Sequence, residues 1–178
     1  LNDHLAPRLI GRDPAHVEAI WRDLFYATHA TAVGVITSLS LCCIDTALWD
    51  WRSRKYNLPL WVLLGGAQEK VKLYTTEGGW LQLSPEQLVD QALAAQAQGF
   101  SGAKLKIGRP HVSEDVARLQ AVREAVGPGF ELMTDANQSF NRAQGARRAA
   151  AFEGLDLAWI EEPFPAEDVR GHAQLREQ

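Results

Sequence analysis

Polar side chains stand where three predicted strands end, in the segments Lys104-Leu105-Lys106, Asp135-Ala136-Asn137 and Glu161-Glu162-Pro163. Asp135 follows Lys106 by 29 positions, and Glu161 follows Asp135 by 26 positions. Each separation is about the length of one strand and one helix, so the three groups should emerge at the same end of a parallel sheet. In a barrel built from such units, that end holds the active site.

The alternation of strand side chains places Lys104 and Lys106 on one face of the predicted sheet. Asp135 and Asn137 share a face in the same way, provided that strand geometry continues to residue 137. Each pair is separated by one apolar residue, which should face the covering helices. Two lysines and two carboxylates facing one cavity would be a costly core, since buried charges must be paired or bind a metal.

Carboxylate oxygens without a Cys or His cluster favour a hard cation, Mg²⁺ above all. A metal beside a lysine suits removal of the proton α to a carboxylate, because the metal stabilises the charge that develops on the oxygens. Two ammonium groups about 7 Å apart repel by about 2.4 kcal/mol at an effective dielectric of about 20. That repulsion should lower a lysine pKa by about 1.7 units. The cation and partial burial would have to supply the rest of the shift to a neutral base.

Simpler interpretations exist for several of these residues. The two lysines could be solvated side chains of an edge strand. Asp135 could cap the next helix, although Ser139 or Asn141 lies closer to its start. Glu162 should face away from Glu161 and pair with an outer basic group. The adjacent Cys42 and Cys43 should lie in the core rather than act as nucleophiles, and the histidines show no metal-ligand spacing.

Two regions of different periodicity surround these segments. The sequence predicts that residues 1–66 are helical. One helix should open at Asp13 and Pro14 and run to residue 30. A second should cover 39–54, with an apolar face formed by Leu41, Ile44, Leu48 and Trp51. Asn57 should break that helix, and a short one should end at Gly65-Gly66.

Residues 67–178 alternate between strand and helix. The predicted strands are 71–75, 103–107, 130–134 and 155–160. The helices between them should begin at Ser84, Ser113 and Asn141, and a last helix should cover 168–178. This order predicts an α/β fold with a parallel sheet, and four strands fit half of a (β/α)8 barrel. No Gly-x-Gly-x-x-Gly segment follows the first strand, so a dinucleotide-binding fold loses its best support.

Composition excludes several classes of protein. The 178 residues are 46% hydrophobic and 22% charged, which is ordinary for a soluble globular chain. A net charge of −4 without a basic stripe argues against nucleic-acid binding, and no apolar run approaches the roughly 18 residues of a membrane span. Neighbouring cysteines favour a reducing, cytoplasmic setting. Because the only methionine is Met133 and the last helix lacks a stop signal, we expect the middle of a longer protein.

The three strand-end motifs resemble the enolase superfamily, in its mandelate racemase and muconate-lactonising branch. The resemblance implies that residues 1–66 are the helical part of an α+β capping domain and that 67–178 are strands 1–4 of the barrel. It also implies that Lys106 is the general base and that Lys104 contacts the substrate carboxylate and depresses the pKa of the base. Asp135 and Glu161 then correspond to two Mg²⁺ ligands, and Asn137 contacts the substrate.

The segments 74–80 and 171–175 look most like acid-sugar dehydratases of the galactarate and talarate type. The implied activity is Mg²⁺-dependent removal of the proton α to a carboxylate through an enediolate, followed by dehydration of a sugar acid. Apart from the resemblance, Trp80 follows Gly78-Gly79 after the first strand and could line the substrate pocket. Racemisation, epimerisation or cycloisomerisation remain alternatives, as does a non-catalytic half-barrel. A third metal ligand and a His–Asp pair would lie beyond Gln178, so the chain alone should be inactive. The resemblance also implies a homo-oligomer.

Overall fold

The chain divides into a helical unit, Leu1–Lys70, and an α/β unit, Val71–Gln178. The computed structural model describes residues 1–31 and 34–177. Within these residues, no helix has both the length and the apolar character needed to cross a membrane.

The helical unit contains α1 (Val17–Ala27), α2 (Val35–Tyr56) and α3 (Leu60–Leu63), preceded by a 3-10 turn at Ala6–Arg8. Within the described residues, a small core cluster of this unit contains four buried side chains, Leu5, Ile20, Leu24 and Ile44. Leu41 and Leu48 pack against this core, as the predicted face of α2 requires. Trp51 is half-buried, and the Lys55 ammonium lies 4.7 Å from the centre of its ring.

Two predictions for the helical unit are wrong. Asp13 does not open α1, because its carboxylate accepts a hydrogen bond from the Ala15 amide at 2.9 Å in a turn and the helix begins only at Val17. Cys42 and Cys43 are free and exposed rather than part of the core. The buried stripe of a helix repeats every three or four residues, and these two positions lie outside the one that carries Ile44.

The α/β unit alternates strands and helices throughout. Its elements are β1 (Tyr74–Thr75), α4 (Pro85–Ala97), β2 (Gly102–Lys106), α5 (Val112–Val126), β3 (Glu131–Asp135), α6 (Arg142–Phe152), β4 (Leu157–Glu161) and α7 (Val169–Arg176). All strand pairs are parallel, in the order β1-β2-β3-β4. The predicted α/β fold is therefore confirmed as four consecutive strand–helix repeats, half the number of a (β/α)8 barrel.

The sheet is strongly curved. The rings of Tyr74 on β1 and Trp159 on β4 meet edge to face with centroids 5.4 Å apart, although two strands separate β1 from β4. The inner face is therefore concave. The outer face packs on the helices, and the apolar residues Leu105 and Ala136 are both buried in that core, as predicted.

Helix starts show where local sequence signals are reliable. Ser84 caps α4 in a capping box with Gln87, and Asn141 does the same for α6 with Gln144, as predicted. Ser113 is not a cap, because α5 begins one residue earlier and the amide of His111 donates to the Glu114 carboxylate at 2.9 Å. The predicted first strand is also too long, since only Tyr74–Thr75 pairs with β2.

Candidate active site at the carboxyl ends of the strands

The ladder register aligns the ends of three strands. Lys106 pairs with Asp135 across β2 and β3, and Asp135 pairs with Glu161 across β3 and β4. Lys106, Asp135 and Glu161 thus form a row at one end of the sheet, as their spacing in the sequence predicts. Lys104 lies two residues earlier on β2, so its side chain leaves the strand on the same face as that of Lys106.

The charged side chains of this row contact one another directly. The Lys104 Nζ donates to Glu161 Oε1 at 2.8 Å and lies 3.1 Å from Asp135 Oδ2. The Lys106 Nζ donates to the same Asp135 oxygen at 2.7 Å and to the Asn137 Oδ1 at 2.7 Å. The structure therefore brings together all five residues that the sequence singled out on these strands.

Burial in this cluster is uneven. The Asp135 side chain is 3% exposed, whereas the lysines are 12% (Lys104) and 24% (Lys106) exposed and Glu161 is 35% exposed. Burial by itself would raise the pKa of Asp135. Hydrogen bonds from Lys106, the Asn137 amide and Lys104 outweigh burial and lower this pKa below its usual value. Asp135 is thus held as a carboxylate at the centre of the cluster.

Two carboxylates dominate the electrostatic surroundings of Lys104. Burial opposes its charged form, but hydrogen bonds and charges of Glu161 and Asp135 outweigh burial and raise its pKa. The sequence prediction concerned repulsion between the two lysines, which was expected to lower the pKa of the base. It did not consider the two carboxylates, whose oxygens lie within 3.1 Å of the Lys104 nitrogen.

A turn, rather than a continued strand, brings Asn137 into the cluster. Asn137 and Gln138 have positive φ values of 45° and 61°, so the strand geometry assumed for the sequence prediction ends before them. The Asn137 amide donates to Asp135 Oδ1 at 2.9 Å, which closes the turn and directs the side chain toward Lys106. Asn137 lies close to Asp135 as predicted, but the cause is this turn and not continued strand geometry.

Glu162 is exposed and lies outside the charged cluster. Its carboxylate accepts hydrogen bonds from the side-chain amides of Asn137 and Gln138, each at 3.4 Å. The predicted partner, an outer basic group, is replaced by these amides. The main chain also turns here, with a φ of 45° at Glu162.

Trp80 lies in the loop after β1, and its side chain is 45% exposed. The preceding Gly79 accepts a hydrogen bond from the Lys106 amide at 2.7 Å, so this loop runs beside the end of β2. The main chain at Trp80 therefore lies close to Lys106, one residue of the charged cluster.

Sequence reasoning missed two residues that contact the cluster. The indole Nε1 of Trp159 donates to Glu161 Oε2 at 3.2 Å, and its position two residues before Glu161 on the same strand was an available signal. Arg118 donates to the main-chain carbonyl of Lys106 at 2.9 Å. No local pattern in α5 marks Arg118, because its partners are distant in sequence.

The donor set fits a cation with oxygen ligands. Asp135 and Glu161 both contact the single ammonium of Lys104, so their oxygens are close enough to share one positive charge. Among residues 1–31 and 34–177, no group of three or more His, Cys, Asp or Glu side chains is arranged to hold a metal ion. These residues therefore offer two carboxylate ligands rather than a complete coordination shell.

Family models match both units of the chain. The N-terminal domain model of mandelate racemase / muconate lactonizing enzyme matches residues 1–65, and the enolase C-terminal domain-like model matches residues 87–178. The second match alone covers more than half of the chain, including all three segments that form the charged cluster.

Individual relatives agree with the family models. L-talarate/galactarate dehydratase of Salmonella typhimurium is 39% identical over 96% of this chain and 43% of that protein. A 3,6-anhydro-alpha-L-galactonate cycloisomerase of Streptomyces coelicolor is 38% identical over 94% of this chain and 46% of that protein. Racemases are also among the relatives.

Solved structures share the fold. L-talarate dehydratase from Polaromonas sp. JS666, crystallised with Mg and L-glucarate, matches with a TM-score of 0.87 and 38% identity over 98% of this chain and 49% of that one. The chain thus spans slightly less than half the length of these three proteins. The chain belongs to the enolase superfamily, in its mandelate racemase and muconate lactonizing enzyme branch, and comprises the helical part of the capping domain and the first half of the barrel.

Proposed function

We propose that this chain contributes half of the active site of a Mg²⁺-dependent enzyme that removes the proton α to a carboxylate, and that the full-length parent dehydrates a sugar acid. One observation carries the proposal. Two lysines, two carboxylates and an amide from three adjacent strand ends are joined by hydrogen bonds at the end of the sheet where barrel enzymes place their chemistry.

In this proposal Lys106 is the general base. Its Nζ is directed by Asp135 and Asn137, each at 2.7 Å, so the position of the nitrogen is determined before substrate binds. In its neutral form the amine accepts the α-proton as the carbon–hydrogen bond breaks. The electron pair of that bond delocalises onto the substrate carboxylate and then expels the β-hydroxyl group, which leaves as water after protonation by a group outside this chain.

Lys104 and Asn137 are the proposed substrate contacts, with Trp80 lining the pocket. The ammonium of Lys104 can donate to a substrate carboxylate oxygen, since it donates to carboxylates of the chain already. Asn137 offers an amide, and the exposed indole of Trp80 offers an apolar surface next to the end of β2.

Asp135 and Glu161 would hold the Mg²⁺ in this proposal. A bound divalent cation would stabilise negative charge on the substrate carboxylate and disfavour the protonated form of the neighbouring lysines. The remaining ligands would come from the second half of the barrel, from water or from the substrate.

Dehydration is favoured over other outcomes because the relative with 39% identity is a talarate/galactarate dehydratase. Racemisation, epimerisation or cycloisomerisation of a related carboxylate is the second candidate, because cycloisomerases and racemases of similar identity are also relatives. All of these reactions begin with removal of the same proton. The group that completes the reaction would therefore decide the product. In the proposed scheme, that group lies outside this chain.

The proposed parent is a homo-oligomer of the cytoplasm. The free, exposed thiols of Cys42 and Cys43 support a reducing setting. A non-catalytic half-barrel that pairs with another chain is the alternative, and the one-sided pairing of β1 and β4 within the described residues supports it.

Replacement of the proposed base tests the function. We expect Lys106→Met in the full-length parent to abolish exchange of the substrate α-proton with deuterated solvent, assayed with a panel of aldarates and aldonates in Mg²⁺, because no amine remains to accept the proton. Lys72→Met is the matched control, since Lys72 is 80% exposed and pairs only loosely with Glu131 at 3.5 Å. Retained exchange in Lys106→Met would refute the role of Lys106, and loss of exchange in Lys72→Met would show that the assay reports on folding instead.

A further inference from the structure

A cluster of buried charges lies in the outer layer beside the end of β2. Asp115, Arg118 and Arg148 are 0%, 4% and 5% exposed, respectively. Buried charges are costly unless they are paired and hydrogen-bonded, so a cluster of three needs an explanation beyond stability. The proposed chemistry does not use these side chains.

Asp115 holds the loop that follows β2. Its carboxylate accepts hydrogen bonds from the main-chain amides of Gly108, at 3.1 and 3.2 Å, and Arg109, at 3.2 Å. The Arg148 Nε donates to it at 3.1 Å, and the Arg118 Nη1 lies 3.8 Å away. The carboxylate thus ties the loop to both arginines.

Arg118 connects the end of β2 to the loop after β1. Its Nη1 donates to the carbonyl of Lys106 and its Nη2 to the carbonyl of Trp80, each at 2.9 Å. Its Nε is buried without a hydrogen-bond partner in the described part of the chain. A planar guanidinium can bridge two carbonyls in this way, whereas a lysine ammonium acts as a single point charge.

The loop after β1 approaches β2 very closely. The Lys106 amide donates to the Gly79 carbonyl at 2.7 Å, so both main-chain polar groups of Lys106 are held by this network. Gly79 has a φ of +65°, and a Cβ added there would lie 2.4 Å from the Lys104 carbonyl. Only glycine permits this approach without a shift of the main chain.

We infer that Arg118, oriented by Asp115, is a positioning residue that sets the main chain of Lys106 and of the Trp80 loop for proton abstraction. The inference rests on the proposed function in that it takes Lys106 as the base. Arg118 itself contacts main-chain carbonyls and Asp115, on the helix side of β2, and acts only through Lys106 and Trp80. Misplacement of a reacting nitrogen by about 1 Å costs about a hundredfold in rate, so loss of the bridge should appear in kcat.

Arg123 provides a matched control on the same helix. It donates to the carbonyls of Gly127, Phe130, Leu155 and Asp156 at 2.7 to 3.0 Å, and these carbonyls precede β3 and β4 at the opposite end of the sheet. Arg123 is therefore a main-chain clamp of the same chemistry without a link to Lys106. Its replacement should cost stability without an effect on the proposed site.

The experiment compares Arg118→Lys with Arg123→Lys in the full-length parent. We expect Arg118→Lys to lower kcat by tenfold or more with KM changed less than twofold, and to accelerate hydrogen exchange of the Lys106 amide. Arg123→Lys should lower the melting temperature comparably and leave kcat within twofold. If both variants lose kcat equally at similar stability, or if Arg118→Lys keeps kcat, the inference is wrong.

Asp115→Asn decides the question if Arg118→Lys does not fold. It keeps a side-chain oxygen for the loop amides but removes the charge that orients Arg118, so kcat should fall about threefold or more at constant KM. An unchanged kcat in Asp115→Asn would then overturn the inference. Lys106→Met separates this outcome from failure of the proposed function. If it retains α-proton exchange, the base assignment fails, whereas amide exchange in Arg118→Lys still reports whether the bridge holds β2.

Discussion

Asp135 is the residue on which the charged cluster depends. A single oxygen of its carboxylate contacts both lysine ammonium groups, at 2.7 and 3.1 Å, and its other oxygen accepts from the Asn137 amide at 2.9 Å. A carboxylate buried this deeply is stable only because these donors compensate for the loss of water. Because of these contacts, the position of Asp135 is more firmly fixed than that of Glu161, the other proposed metal ligand.

Removal of this carboxylate should weaken metal binding. We expect Asp135→Ala in the full-length parent to reduce Mg²⁺ affinity by at least about tenfold, because one of the two carboxylates that this chain contributes is lost. Isothermal titration calorimetry measures the change, and circular dichroism establishes that the variant is folded. Asp90→Ala, at an exposed position of α4, is the control and should bind Mg²⁺ normally. Equal affinities in the two variants would exclude Asp135 as a ligand.

At the scale of secondary-structure elements, helix caps determine where helices α4 and α6 begin. The strand–helix repeats in turn align the charged side chains at the strand ends. In α4, the Ser84 Oγ accepts from the Gln87 amide at 3.3 Å while the Gln87 side chain accepts from the Ser84 amide at 3.0 Å. These two bonds satisfy amides that would otherwise be unpaired at the helix start. Ser113 resembles Ser84 in sequence but is the second residue of α5, so it does not occupy the cap position.

The two serines should therefore respond differently to the same substitution. We expect Ser84→Ala to lower the free energy of unfolding by about 1 kcal/mol, the usual value of an N-cap. Ser113→Ala should be neutral or slightly stabilising, because alanine is the better residue within a helix. Urea denaturation of the full-length parent compares them. A larger loss for Ser113→Ala would mean that α5 begins where the sequence pattern placed it and not at Val112.

Curvature at the scale of the α/β unit places the row of strand ends on one concave face. The contact between Tyr74 and Trp159 joins the first and last strands across the inner face. In the residues described, β1 and β4 each pair on one side only, so both edges offer unpaired amides and carbonyls. In the proposed parent, the second half of the barrel covers both edges.

The isolated 178-residue chain should therefore associate through its sheet edges. We expect sedimentation velocity to detect species larger than the 19.7 kDa monomer. Addition of the separately expressed second half of the parent should replace them with a one-to-one complex, because paired edges no longer bind other copies. A monomer that ignores the second half would contradict the proposal that the two parts form one barrel.

Local patterns were sufficient to predict the order of elements in the α/β unit and the alignment of three strand ends. Repeats of about one strand and one helix bring Lys106, Asp135 and Glu161 to the same level whatever the remaining packing is. Capping residues such as Asn141 act within one turn, so their effect is visible in the sequence. Asp13 and Ser113 also match the residue types that favour a helix start, but the helices begin at other residues, Val17 and Val112.

Only the tertiary structure decided which groups touch. The raised pKa of Lys104 depends on Glu161, which is 57 residues away, and the bridge made by Arg118 reaches Trp80 across 38 residues. Such contacts depend on the curvature of the sheet and on how α5 packs against it, which no short segment encodes. The exposure of Cys42 and Cys43 has the same origin, because burial is set by the partner that a helix face meets and not by the apolar character of the helix itself.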